Sequence, residues 1–278
     1  MAARTILMTG CSSGIGLASA QALKARGWRV LATCRKAEDA ARLEREGFES
    51  WALDHADEAS VAAGAAEALA RAEGRLDAVF LNGAWALAGP AEDTPREAME
   101  AIFAANLFGP VQLANAVIPA MRRAGRGRVV FCSSVLGMVA ARYRGPYVST
   151  KFAMEGWADA LRMELKGSGV EVTLIEPGPI LTPFRRNVRP NYERWMRPAR
   201  AASLHPEEMW AIVERRLYKD KEGGRFDLPP EAVAAKLVSA LEAERAPARV
   251  FVTTPTYLAN LFRRLLPTRA LDRVMGGR

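Results

Sequence analysis

The chain commits itself within its first sixteen residues. An apolar run, Thr5-Ile6-Leu7-Met8, opens directly into Thr9-Gly10-Cys11-Ser12-Ser13-Gly14-Ile15-Gly16, and a helical pattern follows at once. Glycine adopts backbone conformations that a Cβ forbids, so glycines at 10, 14 and 16 let the chain turn tightly and leave its main chain bare. A helix that starts on such a loop presents unpaired N–H groups and the positive end of its dipole, a combination suited to phosphate. A glycine-rich turn that binds nothing is the competing reading. The strand-loop-helix context favours binding, and it predicts the first unit of a parallel sheet with helical crossovers.

The rest of the chain repeats that unit. Thr5–Met8, Arg29–Ala32, Ser50–Leu53, Ala78–Leu81, Arg128–Cys132 and Glu171–Ile175 read as strands, with helical patterns near 15–26, 36–46, 58–72, 95–122 and 147–166 between them. Right-handed crossovers then give an α/β, doubly wound parallel sheet of Rossmann type, with ligands at the carboxyl ends of its strands. After Pro177 the pattern loosens into a Pro- and Arg-rich region, followed by helices near 206–218 and 230–243 and a short strand at Arg249–Thr253. An amphipathic stretch from Thr256 to Met275 closes the chain. No linker or internal repeat divides it, so we expect one domain over 1–254, with a substrate lid about 181–230, and an amphipathic C-terminal extension over 255–278.

The net charge of +8 raises the question of nucleic acid, but its distribution argues against it. The stretch from Leu181 to Arg200 carries six arginines against Glu193, the stretch from Pro255 onward carries five against Asp272, and the remainder is nearly neutral. Without a reading motif, these clusters do not make a nucleic-acid-binding protein. Cys11, Cys34 and Cys132 form no disulfide framework, and no Cys/His spacing suits a metal, so no metal site and a cytoplasmic setting are expected. No run of 18 uncharged apolar residues exists to span a membrane, and the glycine loop begins too early to leave room for a signal peptide.

The second half supplies a reactive constellation. The strand Val129-Val130-Phe131-Cys132 delivers Ser133 and Ser134 to its carboxyl end, and Tyr147 and Lys151 follow in Gly145-Pro146-Tyr147-Val148-Ser149-Thr150-Lys151. Proline at a helix start places Tyr147 and Lys151 on one face, a turn apart. Reduction of a carbonyl needs hydride at carbon and a proton at oxygen. A free phenol, with a pKa of about 10, is a poor proton donor at neutral pH. A neighbouring ammonium favours the phenolate and brings the group into a useful range, while a serine orients the carbonyl oxygen.

Together, the Gly-x3-Gly-x-Gly spacing, Ser134, Tyr147-x3-Lys151 and Glu176-Pro177-Gly178-Pro179-Ile180-Leu181-Thr182 resemble the short-chain dehydrogenase/reductase family. Its loop commonly reads Thr-Gly-x3-Gly-Ile-Gly. The likeness is good over residues 4–182 and looser beyond, where the tail resembles members acting as 17β-hydroxysteroid or retinol dehydrogenases.

The resemblance implies a nicotinamide dinucleotide, held by Thr9, Gly10, Ser12, Ser13, Gly14, Ile15 and Gly16 around its phosphates. Tyr147 becomes the general acid/base. Lys151 tunes it and binds the nicotinamide ribose, Ser134 fixes the carbonyl, and Asn106, in the Ala105-Asn106-Leu107 run of an apolar helix, supports a proton relay through water. Pro177, Gly178, Ile180 and Thr182 contact the nicotinamide end. Asp54 is expected at the adenine, although a turn acid is the competing reading. Asn82 is expected to tie the central strands together beside the cofactor.

Where NAD(H) enzymes of the family keep an acid, this chain has Cys34 followed by Arg35, which suits a 2′-phosphate and favours NADP(H) over NAD(H). Gly83 and Trp85 depart from the family's Asn-Asn-Ala-Gly. The lid brings Phe184, Tyr192, Trp195 and Met196 among its arginines, so the expected substrate is a lipophilic carbonyl or alcohol, one carrying an anionic group also suiting the basic rim; a solvated, mobile lid is the competing reading. We expect the tail to pack on protein, with peripheral membrane contact as the alternative, and a homodimer or homotetramer built through the helices of Asn106 and Tyr147. A dinucleotide-binding redox sensor or scaffold without turnover is the rival function. Such proteins commonly lose the tyrosine or the lysine, and this chain retains both.

Overall fold

The structure, a computed structural model, describes residues 3–218 and 223–276. Met1 and Ala2, residues 219–222 of the expected lid and the last two residues of the expected extension lie outside the described residues. Seven strands are present: β1 (Thr5–Met8), β2 (Arg29–Cys34), β3 (Glu49–Ala52), β4 (Ala78–Leu81), β5 (Gly127–Cys132), β6 (Val170–Glu176) and β7 (Arg249–Phe251). They form one sheet in the order β3-β2-β1-β4-β5-β6-β7, and every pairing is parallel. In register, Leu7 of β1 lies between Leu31 of β2 and Val79 of β4. Strand order reverses between β1 and β4, so a crevice opens beyond their carboxyl ends, where a doubly wound sheet binds its ligand.

The helices are α1 (Gly14–Ala25), α2 (Ala37–Arg45), α3 (Glu58–Arg71), α4 (Arg96–Phe103), α5 (Gly109–Arg123), α6 (Gly145–Glu164), α7 (Phe184–Asn191), α8 (Arg197–Ala199), α9 (Glu207–Tyr218), α10 (Pro230–Glu242), α11 (Thr254–Leu265) and α12 (Thr268–Gly276). On one face of the sheet, Ala20 and Leu23 of α1, Leu43 of α2 and Val233, Leu237 and Leu241 of α10 pack against Ile6, Val30 and Phe80. On the other, α3, α5 and α6 bury Val61, Leu113, Val117, Met154 and Leu161 against Leu7, Val79 and Phe131. Because both faces are covered, the strands read as continuous apolar runs. The stretch Arg96–Arg123 has the length and hydropathy of a membrane span, but here it is a core helix whose apolar face lies on the sheet.

Four details depart from the sequence reading. The single helix expected over 95–122 is interrupted by a π-helical stretch at Ala104–Phe108, centred on Asn106. The last strand stops at Phe251 because Thr253 turns to become the N-cap of α11. The tail is two helices, since Leu266 precedes Pro267 and is forced into an extended conformation. The segment after β6, expected to be loose, is helical through α7, a π-helical turn at Tyr192–Met196 and α8. Val188, Tyr192 and Met196 recur every four residues as a buried stripe on Trp210 and Val213 of α9. The intervening arginines and Pro190 hide that period in the sequence. In the tail, α11 holds Thr256 and Ala259 against the catalytic body and exposes Tyr257, Leu258, Leu261 and Leu265.

Candidate active site

The glycine loop leaves β1 with Gly10 at φ +69° and Gly14 at φ +54°, both in the left-handed region. A Cβ on Gly10 would lie 2.7 Å from the Gly83 Cα, and one on Gly16 would lie 2.2 Å from the Gly10 carbonyl oxygen. Two backbones therefore approach where no side chain fits. Thr9 fastens them together, its Oγ1 accepting from the N–H of Asn82 at 3.0 Å and of Gly83 at 3.3 Å. Asn82 returns the link, its Nδ2 donating to the carbonyls of Thr9 and Gly10 at 3.3 Å each. Ser13 is the N-cap of α1, yet its side chain caps no N–H. The first turn of α1 is thus left for an external acceptor beside bare backbone, the cradle a dinucleotide diphosphate requires.

The far end of that cradle carries the expected residues in mixed roles. Arg35 is exposed at the end of β2, and the preceding Cys34 is buried. Arg42, which sequence reasoning missed, reaches from α2 to bond the Ser12 carbonyl at 2.6 Å while pairing with Glu46 at 2.8 Å. Only its position on the next helix signals it. Asp54 is half-buried and accepts from the Ala56 N–H at 2.9 Å, so the turn role expected as the alternative is occupied through one carboxylate oxygen. At the near end, the Val135 N–H donates to the Pro177 carbonyl at 2.8 Å. Gly178 packs closely on Thr253 and Thr256, and Ile180 bridges to Leu228. Thr182 lies over Gly14, 3.0 Å from where a Cβ would stand, so the loop after β6 faces the glycine loop.

Tyr147, Lys151 and Ser134 meet at the carboxyl end of β5. Gly145 and Pro146 start α6, which places Tyr147 in its first turn. Tyr147 is 8% exposed and Lys151 2%. The Lys151 Nζ lies 5.6 Å from the centre of the Tyr147 ring and donates to the Cys132 carbonyl at 2.7 Å. Ser134 Oγ accepts from the Leu136 N–H at 3.1 Å. Burial pushes the Tyr147 phenol upward, while the nearby Ser134 hydroxyl and the Arg144 guanidinium pull it back. The expected downward pull by Lys151 is not among those influences. Its ammonium is turned to the Cys132 carbonyl, and burial lowers its own pKa. A cation that does act on the phenol is Arg144, one turn earlier, a residue the sequence reading passed over.

Asn106 is fully buried in the π-helical stretch. Its Oδ1 accepts from the Trp85 N–H at 3.0 Å, and its Nδ2 donates to the Trp85 carbonyl at 2.8 Å and to Thr150 Oγ1 at 3.2 Å. The amide therefore clamps the loop after β4 to α6, and its side chain makes no hydrogen bond to Lys151. The widened turn is what lets this side chain reach the Trp85 backbone. The Trp85 ring stacks on Trp195 at 5.6 Å between centroids and 14° between planes, and Phe184 meets Tyr147 edge-on at 5.7 Å. Of the four lid residues expected at the substrate, Phe184 lies against Tyr147 and Trp195 against Trp85. Tyr192 and Met196 instead enter the core, Tyr192 donating to Glu214 at 2.9 Å. His55 is a further unforeseen neighbour. Buried, with Nδ1 3.1 Å from the Gly83 carbonyl, it has its pKa lowered to about 4 by burial and stays neutral at physiological pH.

A family model described as short chain dehydrogenase matches residues 4–193. The chain is 40% identical over 274 residues to "Uncharacterized oxidoreductase YbbO" of Escherichia coli (strain K12), covering 99% of this chain and 94% of that one. It is 32% identical to human "17-beta-hydroxysteroid dehydrogenase type 1", covering 95% and 82%. It is 31% identical to "NADPH-dependent 3-dehydrocapnine reductase" of Ornithobacterium rhinotracheale, covering 98% and 95%.

Proposed function

The chain belongs to the short-chain dehydrogenase family, and within that family we propose that it is an NADP(H)-dependent reductase interconverting a hydrophobic ketone or aldehyde and its alcohol. It is an oxidoreductase using a nicotinamide dinucleotide. The choice of NADP(H) is supported by exposed Arg35 in the absence of a carboxylate at Cys34, because a guanidinium pairs with a 2′-phosphate that an acid would repel. The relative named as NADPH-dependent agrees with that choice.

The observation that carries the reaction is the buried Tyr147 phenol, with Ser134 among the groups acting on it and Lys151 adjoining it, beside a backbone cradle made by Gly10, Gly14 and Gly16. The bound dinucleotide supplies the hydride. Ser134 holds the carbonyl oxygen toward the phenol, and Tyr147 transfers its proton to that oxygen as negative charge develops there. The phenolate left behind is stabilised by Ser134 and by the Arg144 charge. Lys151 binds the nicotinamide ribose, and Asn106 fixes the wall of the site through Trp85. Trp195 and Phe184 close over the centre and exclude water, which strengthens each of these electrostatic contacts.

Consumption of NADPH with a panel of hydrophobic ketones and aldehydes tests the reading. Tyr147→Phe should lower turnover by about 10²–10⁴-fold, the usual worth of a positioned general acid, while NADPH still binds. Activity within a few-fold of wild type would remove Tyr147 from the mechanism. NADPH binding with no carbonyl reduced across the panel would turn the reading toward a sensor.

A further inference from the structure

Several arginines of the lid away from the reaction centre are occupied: Arg197 pairs with Glu193 at 3.0 Å, Arg200 with Glu207 and with Glu214 at 3.0 Å, and Arg189 donates to the Leu217 carbonyl at 3.2 Å. Those nearest Tyr147 are not. Arg144 stands one turn before Tyr147, at the N-cap of α6. Arg185 follows Phe184, whose ring lies against Tyr147, and Arg216 comes from α9, which packs on α7. Among the described residues, none of the three forms an ion pair.

Arg144 is the informative member. It is half-buried, and no carboxylate figures among the charges acting on it. Burial and the charges of Arg185 and Arg216 hold its guanidinium below its ordinary value. Half-buried Arg144, with Arg185 and Arg216, meets no counter-charge among the described residues, an arrangement that a bound anion would complete. The preceding residue adds to the case for a positioned group. Tyr143 adopts φ +64°, uncommon for a side chain other than glycine, and its carbonyl accepts from the Gly89 N–H at 3.1 Å. The loop that presents Arg144 is therefore fixed in a strained form at the edge of the site.

We propose that Arg144, Arg185 and Arg216 form an anion-binding subsite beside Tyr147, and that the substrate carries a carboxylate or similar oxyanion within a few bonds of its reacting carbonyl. This rests on the reductase reading above and narrows its substrate class from hydrophobic ketones and aldehydes in general to oxo acids. The guanidinium groups bind the oxyanion by charge-assisted hydrogen bonds, and Phe184 and Trp195 cover the apolar part. The same anion offsets the repulsion among the arginines, so the lid closes best over a charged substrate.

The test compares aliphatic oxo acids, with the carbonyl placed from two to six carbons from the carboxylate, against their methyl esters, using NADPH and the full-length protein. The expected result is at least one acid whose kcat/KM exceeds that of its ester about tenfold or more, with an advantage that falls as salt is raised. Arg185→Gln, and separately Arg216→Gln, should reduce that acid-to-ester ratio by about tenfold, the scale of one charged hydrogen bond. Arg144→Gln should do the same and also move the alkaline limb of the pH profile upward, because it removes the charge that lowers the phenol. An acid-to-ester ratio near one for every chain length, unaltered in the variants, would overturn the subsite and leave the reductase reading standing. A weaker Kd for NADPH in Arg185→Gln with an unchanged ratio would also overturn it, assigning the cations to the dinucleotide diphosphate. If neither acids nor esters are reduced while NADPH binds, the reductase reading fails, and the subsite proposal falls with it.

Discussion

Replacing Glu176 with glutamine should flatten an alkaline loss of stability that the wild-type protein carries in its core. Glu176 is fully buried, and burial together with Glu155 and Asp159 pushes its pKa up to about 8. Its Oε1 accepts from Arg249 at 2.6 Å, and the same guanidinium donates to Asp159 at 2.6 Å and to Glu155. Three carboxylates surround one guanidinium, and among the described residues Glu155 Oε1 and Glu176 Oε2 are both without a partner; Glu176, fully buried and with its pKa raised, is the member that keeps a proton. Its folded pKa lies above the ordinary 4.5. The proton therefore stabilises the fold fully below about pH 4.5, and that contribution is lost as the pH rises through about 8. Linkage between those two values gives a loss of roughly 2–3 kcal/mol from pH 6 to pH 9.

Urea unfolding of wild type and Glu176→Gln at pH 6, 7, 8 and 9 measures it. Other groups titrate in both proteins, so the difference between the two curves isolates Glu176, and it should shift in favour of the variant by about that amount. Parallel curves would refute the reasoning, because they would mean that Glu176 is ionised in the fold throughout. Glu176 immediately precedes Pro177 and Gly178, and Gly178 lies against Thr253 and Thr256. The same titration should thus weaken dinucleotide binding in wild type at high pH and spare the variant.

Arg35→Asp should move cofactor preference toward NADH by about 10–100-fold in relative kcat/KM, the worth of a charged hydrogen bond to the 2′-phosphate; an unchanged ratio of NADPH to NADH kinetics would take Arg35 out of that role. Trp195→Ala removes a stacked pair worth about 0.5–1.5 kcal/mol beyond its burial, so lid amides around 184–199 should exchange hydrogen about threefold or more faster while the sheet stays protected. Asn106→Leu leaves the N–H and carbonyl of Trp85 without their partners, at about 1–3 kcal/mol for each group. It should lower the Tm by several degrees, and a Tm equal to wild type would show that water replaces the clamp.

The sheet and the grouping of Ser134, Tyr147 and Lys151 at one end of it were legible because each is written in local pattern. Apolar runs alternate with amphipathic ones, and Gly10, Gly14 and Gly16 mark a loop where the structure has positive φ and close backbone approach. Tyr147 and Lys151 share a face through helical spacing alone. Three features were not legible, for different physical reasons. The π-helical stretch around Asn106 depends on a bond to Trp85, a partner 21 residues away, and no local period announces it. The lid helices are concealed by arginines that lie on solvent and leave only every fourth residue to the core. Arg144 lacks any sequence mark, because the cations that bear on it, Arg185 of α7 and Arg216 of α9, are brought to it only by folding.

These hidden features converge on one physical point. Trp85 departs from the family pattern, and that single change couples three parts of the molecule. Its backbone is held by Asn106, its ring is held by Trp195 of the lid, and Asn106 also meets Thr150 on the helix of Tyr147 and Lys151. A glycine here could make the backbone bonds but not the stack, so lid position would be independent of the catalytic helix. With tryptophan, the lid is referenced to the helix that carries the acid. The shape that selects the substrate and the geometry that reacts with it then close as one unit. Shared residues give the family its chemistry, and Trp85, Arg144 and Arg185 are the positions through which, on the proposal above, this chain would select its own substrate.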